Sequence, residues 1–217
     1  MAQNERAASA DLSDAAVSRN TADIEGALAS GTYTAECYGP DGQLKWSDTI
    51  ENVWVSQGME AVLTHTLKGS SYTAANFLGL IEDTGYGFAG ANGSGVARTN
   101  LAGSITAAGG ASPANGWNEA PSSTATPRGT PSFGSASSSG VNTDLALSSA
   151  VSFSILATDT IKGCFMLVRS AAGTAPTSAV GNTNGALLSA GLFTGGDKVV
   201  GNGDTLSVAY TARLTTS

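Results

Sequence analysis

The chain has 217 residues, a formal net charge of −7 and a pI near 4.5. Alanine, serine, threonine and glycine account for 114 residues and charged residues for only 12%, so the larger apolar side chains suffice for one modest core. The ten basic residues are thinly spread, which disfavours a nucleic-acid partner, and no apolar run approaches the ~20 residues that cross a bilayer. A low-charge surface of small residues is typical of a β-rich, loop-rich structural protein.

Residues 1–30 are polar and contain few large apolar side chains. Ile24 and Leu28 are spaced i, i+4 after Thr21, which predicts a short helix over 22–29 that follows a polar arm. Such a segment buries too little apolar surface to order alone, so we expect Ile24 and Leu28 to contact a partner. The segment lacks the basic and then apolar pattern of a secretory signal. We therefore expect Cys37 and Cys164 to be free, buried thiols rather than a disulfide.

From residue 31 the apolar pattern has a period of two, which predicts a hairpin over residues 32–55 with a turn at 39–42. A helix over 56–68 follows, with Ser56 as a candidate N-cap residue. Its predicted apolar face consists of Met59, Val62, Leu63 and Leu67. Residues 77–82 then predict a buried strand.

Residues 84–150 are rich in glycine, serine, alanine and threonine and contain few large apolar residues. We interpret them as a long loop excursion with one or two short strands, which lies over a neighbour or a sheet face. Trp117 and Phe133 are its candidate partner-binding residues. Trp117 lies in a polar loop, where a tryptophan either folds back onto the core or anchors an interface.

The remaining chain predicts strands over 151–155, 161–168, 186–193, 198–200 and 205–214, with a tight turn at 201–204. The last strand alternates most regularly, and its outer face is small and hydroxylic. Strands separated by frequent turns predict a mainly β protein, namely an antiparallel β-sandwich or a β-barrel-like domain. We expect one such domain over 31–217, with one helix and an extended N-terminal arm.

Residues suited to catalysis are few. His65 is the single histidine, and we expect it to be a partly exposed helix residue. Residues 85–90 match G-x-G-x-x-G, but the glycine-rich sequence that follows cannot begin the helix that such a site needs. Two local carboxylate pairs, Asp48 with Glu51 and Glu82 with Asp83, are candidates for glycoside hydrolysis, although adjacent strand residues point to opposite faces. We predict no catalytic, cofactor or metal site.

Several strand blocks resemble a known group of proteins. They are GPDGQLKWSDTIEN at 39–52, YTAANFLGLI at 72–81, WNE at 117–119, residues 153–165 around TIKG, and residues 192–193 leading to GDTLSVAYT at 203–211. Together they resemble small virion-associated structural proteins of tailed bacteriophages. The resemblance covers about residues 31–214 and implies a structural role on the virus particle, assembled in the host bacterial cytoplasm.

Three functions compete at this point. The first is a capsid decoration or cement protein, which binds the major capsid protein or another virion protein and stabilises the shell as a homo-oligomer, for example a trimer. The second is a head-fibre, tail-tube or tail-fibre component, or an adhesin that contacts the host surface through residues 84–140. The third is an enzyme such as a depolymerase, which the small inventory of titratable groups disfavours.

Overall fold

The computed structural model describes residues 27–68, 73–83, 118–182 and 184–216. These residues form a β-sandwich-like fold of two antiparallel sheets with one helix. The elements in chain order are β1 (Ala27–Tyr38), β2 (Leu44–Val53), α1 (Ser56–Leu67), β3 (Phe77–Glu82), β4 (Asn118–Glu119), β5 (Ser137–Ser139), β6 (Asn142–Ala146), β7 (Val151–Ser154), β8 (Asp159–Val168), β9 (Ala186–Leu192), β10 (Lys198–Val200) and β11 (Thr205–Thr216).

The first sheet has the strand order β2-β1-β11-β6-β5, and β7 also pairs with β11. The predicted hairpin of β1 and β2 is confirmed, and its turn closes through the bond from the Gly42 N–H to the Gly39 carbonyl at 2.8 Å. Gly42 has a φ of +76°, which a residue without Cβ adopts at little cost. The two longest strands, β1 and β11, pair along their whole lengths and form the centre of this sheet.

The second sheet is built around β8. One edge of β8 pairs with β3, which pairs in turn with β4, and its other pairings are with β9 and β10. The predicted strands at 77–82, 161–168, 186–193 and 198–200 therefore all form, each within two residues of its expected bounds.

The main core lies between the two sheets, where alternate residues of β1 and β11 face β8 and β9. The rings of Tyr33 and Tyr210 lie 4.5 Å apart. The Tyr33 hydroxyl shares a 2.6 Å hydrogen bond with the Ser189 hydroxyl, and the Trp54 indole N–H donates to the Tyr210 hydroxyl at 3.1 Å. These bonds satisfy polar groups that would otherwise be costly to bury.

A second apolar cluster covers the opposite face of the second sheet. It consists of Val55, Ile81, Phe165, Leu167, Leu187 and Ala190, with Phe77 and Leu192 packed against it. Both faces of β8 are therefore buried, which explains why this strand is a nearly continuous apolar run rather than an alternating one.

The described part of the predicted loop excursion, residues 118–150, is built into the fold. Residues 119 and 129 pair with β3, Ala125 bridges to Ile155, and Phe133 bridges to Leu147. The chain segment 118–134 thus joins the second sheet to β7 and to the end of β6. Three short strands occur here, against the one or two expected for the whole excursion.

Two local predictions are wrong, one at the start of β1 and one at the start of α1. Residues 27–29, expected to end a helix, are extended and begin β1, where Leu28 lies opposite Thr215. Ser56 makes no capping hydrogen bond, because the N-cap position is Val55. Instead, the Val55 N–H donates to the Leu188 carbonyl at 2.8 Å, which fixes the start of α1 against β9.

The predicted apolar face of α1 is buried only in part, since Val62 alone of its four residues packs against the main core. The helix buries Gly58 and Ala61, whereas Leu63 and Leu67 are 57% and 77% exposed. A Cβ on Gly58 would lie 2.6 Å from the Leu188 Cα. The backbone of α1 therefore approaches β9 more closely than a leucine-lined face allows.

Candidate partner-binding surface

The outer face of the first sheet carries an array of small hydroxyl side chains. Tyr33, Ala35 and Cys37 of β1 point into the core, so the residues between them point away from it. We call this surface the hydroxyl face. Its hydroxyl-bearing members are Ser30, Thr32, Thr34, Ser47, Thr49, Ser152, Ser154, Thr205, Ser207 and Thr211.

Strand register arranges these side chains in rows across the sheet. Thr34 lies between Thr49 and Ala209, and Thr32 lies between Glu51 and Thr211. Opposed residues of neighbouring strands have Cβ atoms about 5 Å apart. The face is therefore an array of short polar groups, which the longer side chains of Glu36, Tyr38, Glu51 and Arg213 interrupt.

A groove of about 210 Å³ lies at one end of the hydroxyl face. Leu28, Ser30, Thr32, Glu51 and Arg213 line it, over the backbone of Gly31 and Asn52. The predicted partner-binding residue Leu28 is 54% exposed here.

A bidentate ion pair borders the groove. The Arg213 Nε and a terminal guanidinium nitrogen donate to the two Asp144 carboxylate oxygens at 2.6 and 2.7 Å. This hydrogen bonding lowers the pKa of Asp144 and raises that of Arg213. The pair joins β6 to β11 and leaves a planar, charged edge beside the apolar Leu28.

The other three predicted contact residues have different positions. Ile24 and Trp117 lie outside the described residues. Phe133 is half-buried and packs against the main core. Only part of the Phe133 side chain is therefore left for a partner.

Trp46, which lies in β2, and Trp54, which follows β2, both contribute to the fold. Trp46 contacts Phe193 edge-on with ring centres 5.4 Å apart, and the Lys198 ammonium lies 5.8 Å from the Trp46 ring centre. Trp54 is half-buried beside Tyr210. Both stabilise the contact between the sheets.

Two aspartates each hold a loop through several hydrogen bonds. Asp48 accepts from the N–H groups of Thr194 and Gly195 and pairs with Lys198 at 2.9 Å. Burial alone raises the pKa of Asp48, but the Lys198 ammonium and the backbone N–H groups outweigh it, so the pKa is lowered. Asp204 has the same role in the 201–204 turn, where it accepts from the Gly201 N–H at 2.7 Å and pairs with Lys45 at 2.6 Å.

The thiols and the histidine occupy structural positions. Cys37 and Cys164 are free and buried, as predicted, and burial raises the pKa of Cys37 to about 11. The His65 Nε2 lies 2.8 Å from the Ser170 carbonyl oxygen, which connects α1 to the segment after β8. Among the described residues, no group of three or more histidine, cysteine or carboxylate side chains is arranged to hold a metal ion.

Glu82 is the carboxyl with the most unusual environment in the described chain. It is only 7% exposed at the end of β3, where it pairs with Asn118. No hydrogen bond to its carboxyl occurs among the described residues. Burial, with the nearby Asp159 and Asp83 charges, raises the pKa of Glu82 to about 7. The neutral form of this carboxyl therefore persists to a higher pH than in an exposed glutamate.

The groups around Glu82 are themselves engaged. Asp159 accepts hydrogen bonds from the Thr124 hydroxyl and the Thr160 N–H, at 2.9 and 2.7 Å. Lys162 pairs with Asp83 at 2.9 Å and with Asp197 at 2.6 Å. The predicted pair of Glu82 and Asp83 does diverge, since one side chain is buried and the other exposed.

Sequence reasoning missed a buried ion pair between Arg128 and Glu119. Two guanidinium nitrogens donate to the two Glu119 oxygens at 2.7 and 2.6 Å, and both side chains are almost fully buried. Arg128 also donates to the carbonyls of Thr177 and Asn182, and Glu119 accepts from the Gly181 N–H. The pair ties two loops together over the Phe165 ring. The one sequence signal for this pair was the presence of two opposite charges, Glu119 and Arg128, in residues 84–150, which otherwise contain few charged residues.

No helix in the described part of the chain is long and apolar enough to cross a membrane. Comparison of the chain with protein-family models, with curated proteins and with solved structures gives no match.

Proposed function

We propose that this protein is a non-enzymatic structural protein of a bacteriophage virion, a capsid decoration protein that binds as a homo-oligomer across capsid subunits. The hydroxyl face is the observation that best supports the proposal. It is a broad surface on one continuous sheet, most of its side chains are small and uncharged, and small side chains lose little rotamer entropy on contact.

Stabilisation of a shell requires that the protein binds the assembled form and not the free subunits. A regular sheet face suits this task because it presents the same short polar groups to each repeated site on a lattice. Many weak copies then gain from multivalency, since neighbouring contacts raise the effective concentration of the next.

The arm gives the proposal a second element. Residues 1–26 join the sheet at Ala27, next to the groove that Leu28 borders. In this proposal the arm is a clamp that contacts an adjacent capsid subunit, at an ordering cost offset by its contact area. Removal of residues 2–26 leaves β1 intact and is expected to give a folded domain with weaker particle binding. Equal binding by the truncated protein would refute the clamp.

The decisive experiment measures binding to expanded phage heads that lack the protein. Purified full-length chain is expected to co-sediment with the heads and to raise their thermal transition. Thr34→Arg places a long cation at the centre of the hydroxyl face and is expected to abolish both effects. Ser178→Arg, at an exposed position away from this face, serves as the matched control and is expected to bind normally.

Two outcomes would overturn the proposal. The first is an unmoved thermal transition with no bound copies at saturating protein. The second is specific adsorption of the free protein to host cells, which would indicate an adhesin. Of the two aromatic residues predicted for an adhesin face on residues 84–140, Trp117 lies outside the described residues and Phe133 packs against the core.

A further inference from the structure

Helix α1 presents its largest apolar side chains to solvent. Met59, Leu63 and Leu67 are 40%, 57% and 77% exposed and are spaced i, i+4, i+8. Residues at this spacing lie on one face of a helix. We call these three residues the α1 stripe.

The α1 stripe is a consequence of how the helix packs on the sheet. Gly58 and Ala61 let the backbone approach β9, so the face with small residues is buried and the leucine face points away. A row of adjacent exposed apolar side chains is costly in water and marks an interaction surface. Single exposed apolar residues, by contrast, are ordinary.

Two charges flank the α1 stripe in a pattern that selects its partner. Glu60 and Lys68 are both exposed. At 100° per residue they lie on the same side of the stripe, near opposite ends of the helix. A second copy of the helix that runs antiparallel therefore brings its Lys68 to the same flank of the contact as Glu60. In a parallel pair, the flanks that carry these two charges lie on opposite sides of the contact and the charges do not meet.

We infer that α1 is a self-association surface, which pairs antiparallel with α1 of a second copy of this chain about a two-fold axis near Leu63. The stripe is self-complementary about that axis. Leu63 meets its own counterpart, and Met59 meets the partner subunit's Leu67. Each interface then contains two Glu60–Lys68 contacts, as an isologous dimer requires. The inference does not depend on a role in a virion.

The contact is small compared with that of a stable dimer. Three side chains per helix cannot supply the roughly 800 Å² per partner of a standard interface. Association is therefore weak in dilute solution and becomes effective where copies are held close together. A covalent trap is the suitable measurement, because it records a contact that dissociates rapidly.

The test uses single cysteines under mild oxidation. Leu63→Cys is expected to form a disulfide-linked dimer about tenfold faster than Leu156→Cys, since the axis brings two copies of residue 63 together and raises their effective concentration. Leu156 is 49% exposed elsewhere on the surface, and the two native thiols are buried. Met59→Cys mixed with Leu67→Cys is expected to give the heterodimer in preference to either homodimer. Equal rates for Leu63→Cys and Leu156→Cys would refute the inference.

Charge reversal tests the orientation independently. Adding Glu60→Lys to Leu63→Cys is expected to slow cross-linking, because two lysines then face each other at each end. Adding Lys68→Glu to that variant exchanges the two charges and is expected to restore the rate. Circular dichroism confirms that each variant is folded. If the exchanged pair cross-links as slowly as Glu60→Lys alone, the antiparallel arrangement is wrong.

Discussion

Replacement of Glu82 by glutamine is expected to make the protein more stable at neutral and alkaline pH. The native environment favours the neutral carboxyl, because the side chain is 7% exposed and lies near the charges of Asp159 and Asp83. Glutamine keeps the shape and removes the charge. The change therefore removes the electrostatic cost of ionisation without creating a cavity.

The pKa of Glu82 sets both the sign and the pH range. It is about 7 in the folded chain, against 4.5 normally. Between these values the native state holds a proton that the unfolded state has released. The free energy of unfolding therefore falls as the pH rises from about 4.5 to about 7 and then levels off. A shift of this size corresponds to at most about 3 kcal/mol.

Urea unfolding at intervals from pH 4.5 to pH 8.5 measures the effect. The difference between Glu82→Gln and the unchanged chain is expected to grow across the interval to about 3 kcal/mol at most, with the glutamine variant the more stable. Asp159→Asn is the matched control. It removes one neighbouring charge, so it is expected to lower the pKa of Glu82 and move the transition to lower pH.

A difference in the free energy of unfolding between Glu82→Gln and the unchanged chain that does not vary with pH would contradict the raised pKa of Glu82. It would mean that Glu82 is equally ionised in the folded and unfolded states, so that its burial carries no electrostatic cost. A glutamine variant that is less stable at pH 8 would also refute it.

Three further changes test how the loops, the helix and the turn are held. Arg128→Met leaves the Glu119 carboxylate buried without its cation, so urea unfolding is expected to show a loss of about 3–5 kcal/mol; adding Glu119→Gln should recover part of it, and full additivity would contradict a direct pair. Gly58→Ala is expected to lower the free energy of unfolding by about 1–3 kcal/mol, because the added Cβ would clash with the Leu188 backbone. This loss is expected although alanine favours the helix more than glycine does. A gain in thermal stability would show that the contact relaxes freely. Asp204→Asn removes the charge that pairs with Lys45. The thermal midpoint is expected to fall measurably at pH 7 but less at pH 3, where protonation weakens the same pair. An equal loss at both pH values would assign the effect to the turn alone.

Eight of the eleven described strands and the turns at 39–42 and 201–204 could be predicted from the sequence, whereas β4, β5 and β6 could not. The alternation of apolar and polar residues is a local property of the sequence. In β1 and β11 it extends along most of the strand, because one face of each strand is buried. Turn residues at 39–42 and 201–204 act within four residues. The hydroxyl face followed from the same alternation, as the outer side of the last strand.

The buried face of α1 and the environments of Arg128, Glu119 and Glu82 depend on the tertiary structure. The residue spacing predicted an apolar face on α1, but the helix buries Gly58 against β9 and leaves Leu63 and Leu67 exposed. That packing depends on a strand that lies 130 residues further along the chain. The Arg128–Glu119 pair and the raised pKa of Glu82 arise from burial by segments remote in sequence. Burial and charge proximity are properties of the assembled chain, so no local pattern encodes them.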